Sequence, residues 1–238
     1  MKRGICLIVM LLIASTSLLS ACGGQPIQLV TPTPPSASPM NPGTGIVPND
    51  LQTIEASAED IIDLTPSGNW DKISADVTNI ATAWKAYQPL AGKVGASQQL
   101  QDAISSALTQ LQAATTSKDS AATMQASNNI SAAVVEMFAL YNPKIPADIG
   151  RLDVIERQVI LDVAKQDYSA AETNLAKAKS TWENVKASAL ALNGKDVADQ
   201  FEASLTAQAS ALAAKNSEAL TKEARNALEI VDSLEQLY

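Results

Sequence analysis

The sequence WDKISADVTNIATAWKAY, residues 70–87, decides the fold class. Its apolar side chains recur every three or four residues, which is the period of one face of an α-helix. The positions on this face are Trp70, Ile73, Val77, Ile80, Trp84 and Tyr87. Such an apolar stripe must be covered by neighbouring helices, as in a helical bundle. The stretch therefore predicts an all-α fold.

A second stretch, residues 168–192, has the same period and aligns with the first at an offset of 98 residues, which places Trp182 on Trp84. A further match at an offset of 97 aligns residues 118–141 with residues 215–238, and seven of the 24 aligned positions are identical. The order and spacing of the two matches agree. We infer an internal duplication.

Each half contains four predicted helices separated by turn residues. They span residues 50–64, 69–88, 96–115 and 118–141 in the first half, and 147–165, 167–192, 195–213 and 216–237 in the second. The breaks in the first half are placed at Pro66 to Gly68, at Pro89 to Gly95 and at Thr116 and Ser117. Four amphipathic helices with short connections can close around one core. The sequence thus predicts tandem four-helix bundles at residues 50–142 and 143–238.

A solenoid of stacked helical hairpins is the alternative architecture. The segment from Asp167 to Ala171 resembles the start of a tetratricopeptide unit. No 34-residue period follows it, however, and the observed period of about 97 residues favours a four-helix unit.

Polar residues mark several helix ends. Asn69 and Asp167 each precede an aromatic residue at the start of a predicted second helix, where a short side chain can accept a hydrogen bond from a free backbone N–H. The pair Asn193 and Gly194 is suited to a left-handed helix ending.

The chain begins with the features of a secretory signal. Lys2 and Arg3 are followed by an apolar run over residues 5–14 and then by small residues. The apolar run is short for a permanent membrane span.

The segment Leu19-Ser20-Ala21-Cys22 resembles the lipobox of bacterial lipoproteins. The resemblance covers the first 22 residues, and it implies a signal peptide at residues 1–21, cleavage before Cys22 and lipid on the Cys22 thiol. The alternative is an ordinary secretory signal with a free cysteine. The implied lipid would fix the protein stably to a membrane, because two or more acyl chains anchor where one is reversible.

Residues 22–49 are predicted to form a tether. No charged residue lies between residues 23 and 49, and seven of the eleven prolines in the chain are found there. A segment rich in Pro, Thr and Ser has too few apolar groups to form a core and too few amide donors to form regular structure. We therefore expect a lipidated cysteine followed by a disordered linker.

Histidine is absent from the chain. This excludes His-dependent nucleophilic catalysis and His-ligated zinc or haem. The sequence also lacks a Gly-rich phosphate loop and a dinucleotide-binding fingerprint. We expect no catalytic residue and no cofactor, and we do not expect an enzyme. A hydrolase built on a carboxylate pair stays as a third hypothesis, since an acidic protein always contains candidates.

Aromatic residues on the two long stripes have two interpretations. They are Trp70, Trp84, Tyr168 and Trp182. Aromatic side chains at this spacing usually belong to the core, where they bury a large apolar area. The alternative is that these four side chains line a ligand pocket between helices.

Acidic residues crowd the first predicted helix at Glu55, Glu59, Asp60 and Asp63. Pairs four residues apart share one helix face, and such a face could attract a hard cation. No complete metal-binding motif accompanies them, so we expect a solvated face and no metal site. In the second half, Asp153 and Arg157 are four residues apart and should form an exposed ion pair.

Net charge limits the partners. Removal of Lys2 and Arg3 with the signal would leave 15 basic and 25 acidic residues, a formal net charge of −10. Nucleic acid and anionic lipid headgroups are repelled by such a chain. The membrane would be reached only through lipid on Cys22.

The sequence therefore predicts a lipoprotein on the extracytoplasmic side of the cell membrane or outer membrane. Its helical body would serve as a binding or scaffolding module, with an unidentified envelope protein as partner. The alternative is an extracytoplasmic solute-binding or cation-binding protein that uses an acidic or aromatic pocket between helices.

Overall fold

The computed structural model describes residues 45–238, which contain eight α-helices and, over that range, no β-strand. The helices are α1 (Asn49–Leu64), α2 (Trp70–Ala91), α3 (Gln98–Ser117), α4 (Ser120–Ala139), α5 (Ala147–Ala164), α6 (Tyr168–Ala191), α7 (Lys195–Ala213) and α8 (Ser217–Glu235). Short 3-10 turns, Thr65–Ser67 and Gly92–Val94, follow α1 and α2. The predicted all-α fold with eight helices is confirmed.

The helix starts repeat with the offsets found in the sequence. Helices α5 and α6 begin 98 residues after α1 and α2, and helices α7 and α8 begin 97 residues after α3 and α4. The backbone turn before the last helix of each half also repeats, since Lys118 and Lys215 have left-handed φ values of 55° and 50°. This agreement supports duplication of one four-helix unit.

Side-chain caps explain where most helices begin. As predicted, the side-chain Oδ1 atom of Asn69 accepts a hydrogen bond from the Lys72 amide at 3.3 Å, and an Asp167 carboxylate oxygen accepts one from the Ala170 amide at 3.0 Å. The same kind of cap is made by Ser97, Asp119 and Asn216. These short polar side chains satisfy amides that have no partner within the helix.

Two predicted helix ends are wrong. Helix α2 passes through Pro89 and ends at Ala91, because Pro89 lies on the exposed side while Tyr87 and Ala91 remain buried. A proline this close to a helix end removes one backbone hydrogen bond, and water can replace it. Helix α3 continues through Thr116 and Ser117, whose hydroxyls donate to carbonyl oxygens one turn back.

The first half packs around one continuous apolar core. Helices α1 to α4 contribute buried side chains to a single cluster that includes Ile73, Ile80, Trp84 and Tyr87 of the quoted stripe. Because all four helices contribute, residues 49–139 form a four-helix bundle.

The second half has a core divided by a polar layer. Helices α5 to α8 form two separate apolar clusters, and between them lie Glu156 of α5 and Gln208 of α7, both with 0% exposure. The equivalent positions in the first half, at the same offsets of 98 and 97, are Ala58 and Leu111. Those two residues belong to the buried positions of the continuous first core.

Helix α4 of the first half contacts helix α5 of the second. The Asn128 amide nitrogen donates to the Val154 carbonyl oxygen at 3.2 Å and to the Gln158 side-chain oxygen at 3.1 Å. A Cβ atom on Gly150 would lie 3.0 Å from a methyl carbon of Val135, so a glycine allows this close approach. The predicted boundary after residue 142 falls in the connection between these helices.

The last residues of the predicted tether contact the helical body. The Gly45 amide donates to the Tyr141 carbonyl oxygen at 2.8 Å, and the Gln52 side chain donates to the Val47 carbonyl oxygen at the same distance. Residues 45–49 therefore belong with the body. The remainder of the predicted tether and the signal peptide lie outside the described residues.

Candidate functional site

The two central tryptophans of the predicted aromatic set belong to the cores. Trp84 and Trp182 are 4% and 1% exposed. Their indole N–H groups donate to the Ser105 hydroxyl at 3.1 Å and to a Glu202 carboxylate oxygen at 3.2 Å. Both acceptors lie on the third helix of their half, 97 residues apart. The tryptophans therefore fill equivalent core positions.

The other two aromatic residues, Trp70 and Tyr168, are partly buried at the starts of α2 and α6. Trp70 packs against the first core, and the Tyr168 hydroxyl lies 2.6 Å from the Ser217 hydroxyl. The four predicted aromatic residues are thus divided between the halves. None of them lines the pocket described next. Cys22, the predicted lipidation site, lies outside the described residues.

A pocket of about 590 Å³ lies where α1, α4, α5 and α8 meet. Residues 45–47 and the connection at residues 143–146 complete its wall. The pocket is therefore built from both halves and from the segment that enters the first helix. Its volume falls within the range typical of small-molecule sites.

One side of the pocket is acidic. Five carboxylates line it, namely Glu55 and Glu59 from α1, Asp153 from α5, and Asp232 and Glu235 from α8. Lys144 is the one basic residue in the lining. Unless several of the carboxylates carry protons, this side has a negative potential that favours cations.

Another side of the pocket is apolar, and part of it is exposed. It includes Val135 and Phe138 from α4 and the side chains of Ile46 and Ile145. Ile46 and Ile145 are 60% and 38% exposed, and they are two of the four large hydrophobic residues that are exposed in the described part of the chain. Exposed apolar side chains at a pocket rim offer contact area to a ligand.

Arg157 connects the acidic groups of α1 and α5. One guanidinium nitrogen lies 2.8 Å from a Glu59 carboxylate oxygen, and another lies 2.7 Å from an Asp153 carboxylate oxygen. The predicted ion pair between Asp153 and Arg157 is present, but the prediction that it is exposed is wrong. Their side chains are 11% and 14% exposed, because α5 lies against α4 and α8 instead of facing water.

Glu55 forms no such ion pair, although the Ser131 hydroxyl lies near its carboxyl group. Its Oε2 atom has no exposed surface and no hydrogen bond. Burial, aided by the nearby Glu59 carboxylate, raises the pKa of Glu55 to about 8, although Arg157 acts in the opposite direction. Glu55 is therefore largely protonated at neutral pH.

Asp153 and Glu235 are affected in the same direction. Burial raises the pKa of Asp153 to about 7 in spite of Arg157, and it also raises the pKa of Glu235. At neutral pH the carboxyl groups of the pocket therefore hold protons.

Some residues of this pocket were named from the sequence, but their surroundings were predicted wrongly. Of the four acidic residues of α1 for which a solvated face was predicted, Asp60 and Asp63 are exposed, whereas Glu55 and Glu59 line the pocket. Comparison of the two duplicated halves contained a signal for the pocket. Val135 and Phe138 align at an offset of 97 with Asp232 and Glu235, so the two equivalent helices supply an apolar and an acidic side to one pocket.

The carboxylates of the pocket are too dispersed for a metal centre. Across residues 45–238, no group of three or more Cys, Asp or Glu side chains is arranged to hold a metal ion.

In the described range, no helix combines the length and hydropathy needed to cross a bilayer. No protein-family model, no curated protein and no solved structure matches this chain.

Proposed function

We propose that this chain is a lipid-anchored binding protein of the bacterial envelope, and that its helical body binds a small solute in the pocket between the halves. The pocket lined by α1, α4, α5 and α8 is the observation that carries the binding role. The anchor rests on the lipobox resemblance at Cys22. No catalytic role is part of the proposal.

Two features of the sequence support the proposed location. Lipid on Cys22 would fix the mature chain to the extracytoplasmic side of the cell membrane or outer membrane. The acidic body would then remain in water, since its net charge repels anionic headgroups. The tether would separate the body from the bilayer.

Solute binding is favoured over a purely scaffolding role. A scaffold needs only exposed helix faces, and it gives no reason to bring five carboxylates and two exposed isoleucines to one concave site. Pockets formed between helices of a bundle are common ligand sites. The pocket also keeps a buried carboxylate oxygen of Glu55 without a hydrogen-bond partner.

A pocket-filling variant tests the binding role. Ala56 is exposed and lines the pocket, so Ala56→Trp should occupy it without changing the core. Ala113 is an exposed alanine on α3, and Ala113→Trp is the matched control. Thermal shift and native mass spectrometry of the full chain, with cationic, neutral and anionic solutes, provide the measurement.

We expect at least one class of solute to bind the wild-type chain and the Ala113→Trp variant but not the Ala56→Trp variant. If no solute of any class binds, or if binding is unaffected by Ala56→Trp, the pocket is not a binding site and the proposed function is wrong.

A further inference from the structure

We propose that the pocket takes a small organic cation with an apolar body, such as an alkylammonium ion, and that its binding displaces protons from the pocket. The ammonium group would lie against Glu55 and Asp153, and the hydrocarbon would lie against Phe138 and Ile145. This inference rests on the proposed function and specifies the chemical class of the solute.

The hydrogen-bonding needs of the acidic side point to a donor from outside the chain. The buried Oε2 atom of Glu55 makes no hydrogen bond, although the Ser131 hydroxyl and Arg157, which forms ion pairs with Glu59 and Asp153, lie near its carboxyl group. A buried carboxylate oxygen without a hydrogen bond is costly. An ammonium group carries three donors and one positive charge, so after a small rotation of the Glu55 side chain it can hydrogen-bond to Glu55 and to a second carboxylate.

The charges around the pocket indicate which sign of charge a ligand should carry. Five carboxylates line the pocket, and the cations near them are Arg157, paired with two of the five, and Lys144 in the connection. When ionised, the carboxylates outnumber these cations. In that ionised state, which is reached above the raised pKa values of Glu55 and Asp153, an anionic ligand is repelled and a cationic ligand balances the charge.

The apolar side indicates that the cation is organic. Phe138 and the exposed side chains of Ile46 and Ile145 form a surface that a bare metal ion could not use. The described residues also provide no cluster of metal ligands. A hydrocarbon chain placed on this surface would remove its apolar area from water, which is favourable.

Protons on the carboxyl groups of the pocket couple binding to pH. Glu55 and Asp153 are partly protonated near neutral pH, while an ammonium ion favours their ionised forms. The charged groups facing them are Glu59 on α1, Arg157 on α5, Asp232 and Glu235 on α8, and Lys144 in the connection. Binding should therefore release protons, and affinity should rise with pH until the amine itself loses its charge.

Three linear compounds of six carbon atoms each separate the effect of charge from the effect of shape. Hexylamine is the cation, 1-hexanol is neutral and hexanoate is the anion. Calorimetric titration of the full chain in detergent, at pH 6 and pH 8.5 and in buffers of different ionisation enthalpy, gives both the affinity and the number of protons released.

We expect hexylamine to bind at least about tenfold more tightly at pH 8.5 than at pH 6, since ionisation of even one buried carboxyl accounts for that factor. Hexylamine should release protons on binding. It should bind at least about tenfold more tightly than 1-hexanol, because its hydrogen bonds are charged. Hexanoate should not bind.

Two variants test the role of Glu55. Glu55→Gln keeps the shape of the protonated side chain but cannot ionise, and it should weaken hexylamine binding by about tenfold and reduce the proton release. Glu229→Gln removes an exposed carboxylate of α8 that does not line the pocket, and it should change neither quantity.

The outcomes distinguish this inference from the proposed function. If 1-hexanol or hexanoate binds as tightly as hexylamine and Ala56→Trp prevents it, the cation class is wrong while solute binding stands. Hexylamine binding that is independent of pH and of Glu55→Gln also overturns the inference. If none of the three compounds binds the wild-type chain, the inference is wrong, and the broader solute panel then decides the proposed function.

Discussion

Glu59 and Arg157 occupy equivalent positions in the two halves, 98 residues apart, and they contact each other where the halves meet. The Arg157 guanidinium donates to a Glu59 carboxylate oxygen at 2.8 Å. One copy of the repeated first helix therefore carries an acid and the other carries a base at the same position. A second ion pair, from Arg157 to Asp153, makes this arginine the central cation of the junction.

Removal of Arg157 should destabilise the protein in a pH-dependent manner. Arg157→Met leaves two carboxylates without their cation, and loss of one partner from a buried pair costs about 3 kcal/mol. The loss should be smaller at pH 5, because Asp153, whose pKa is raised to about 7, is then protonated. Urea unfolding at pH 5 and pH 8 measures both values.

The control for Arg157 is an exposed ion pair. Lys195 and Asp199 are four residues apart, with side chains 73% and 60% exposed. Lys195→Met should leave the unfolding free energy unchanged within error, because exposed pairs contribute little. Equal losses for Arg157→Met and Lys195→Met would show that the junction does not depend on a buried ion pair.

The stability of the protein should decrease as pH rises from about 5 to 9. Burial raises the pKa of both Glu156 and Glu55 to about 8, above their values in the unfolded chain. The folded state thus binds more protons than the unfolded state over this interval, and the unfolding free energy falls with increasing pH. Thermal unfolding across the interval measures the slope.

Glu156→Gln should make that slope shallower. The variant cannot ionise in the polar layer of the second core, so it should exceed the wild-type stability at pH 9 by about 2 kcal/mol and match it near pH 5. Glu229→Gln, at an exposed position, should keep the wild-type slope. An unchanged slope in Glu156→Gln would contradict the assigned role of this buried carboxyl.

Two glycines should respond differently to alanine. At Gly194, a Cβ atom would lie 2.8 Å from the Ala189 carbonyl oxygen and would also clash with a Leu237 methyl carbon. At Gly92, the nearest atom would lie 3.6 Å away, which is an ordinary contact. Gly194→Ala should therefore lower stability by about 1–3 kcal/mol, while Gly92→Ala should be neutral or slightly stabilising. Denaturant midpoints compare the two, and similar midpoints would refute the steric argument.

The anchor is tested by one substitution outside the described residues. Cys22→Ser removes the thiol that the lipobox resemblance marks for lipid, so the body should move from the membrane fraction to the soluble fraction. Mass spectrometry of the wild-type protein should show an acylated cysteine at the start of the mature chain. A Cys22→Ser protein that remains in the membrane fraction would contradict the anchor.

The helices were predictable from sequence because their apolar period and caps are local properties. Asn69 and Asp167 mark helix starts by satisfying amides within one turn, and the structure confirms both. The errors at Pro89 and Thr116 arose where buried neighbours held a helix beyond its local end signal.

The pocket was harder to predict from the sequence, because its formation depends on which helices pack together. The spacing of Glu55 and Glu59 showed that they share a face, but a helical period does not reveal whether α5 and α8 lie near that face. Asp153 and Arg157 appeared as an exposed pair for the same reason. Comparison of the two copies position by position contained the missing information, since Phe138 and Glu235 are equivalent positions with opposite polarity.

A crystal structure of the Cys22→Ser protein grown with hexylamine at pH 8.5 is the most direct test of the central claim. We predict an amine whose nitrogen contacts the carboxylates of Glu55 and Asp153 and whose chain lies on Phe138. A pocket that stays empty while the amine is present, or an amine bound only elsewhere on the helices, would contradict the account.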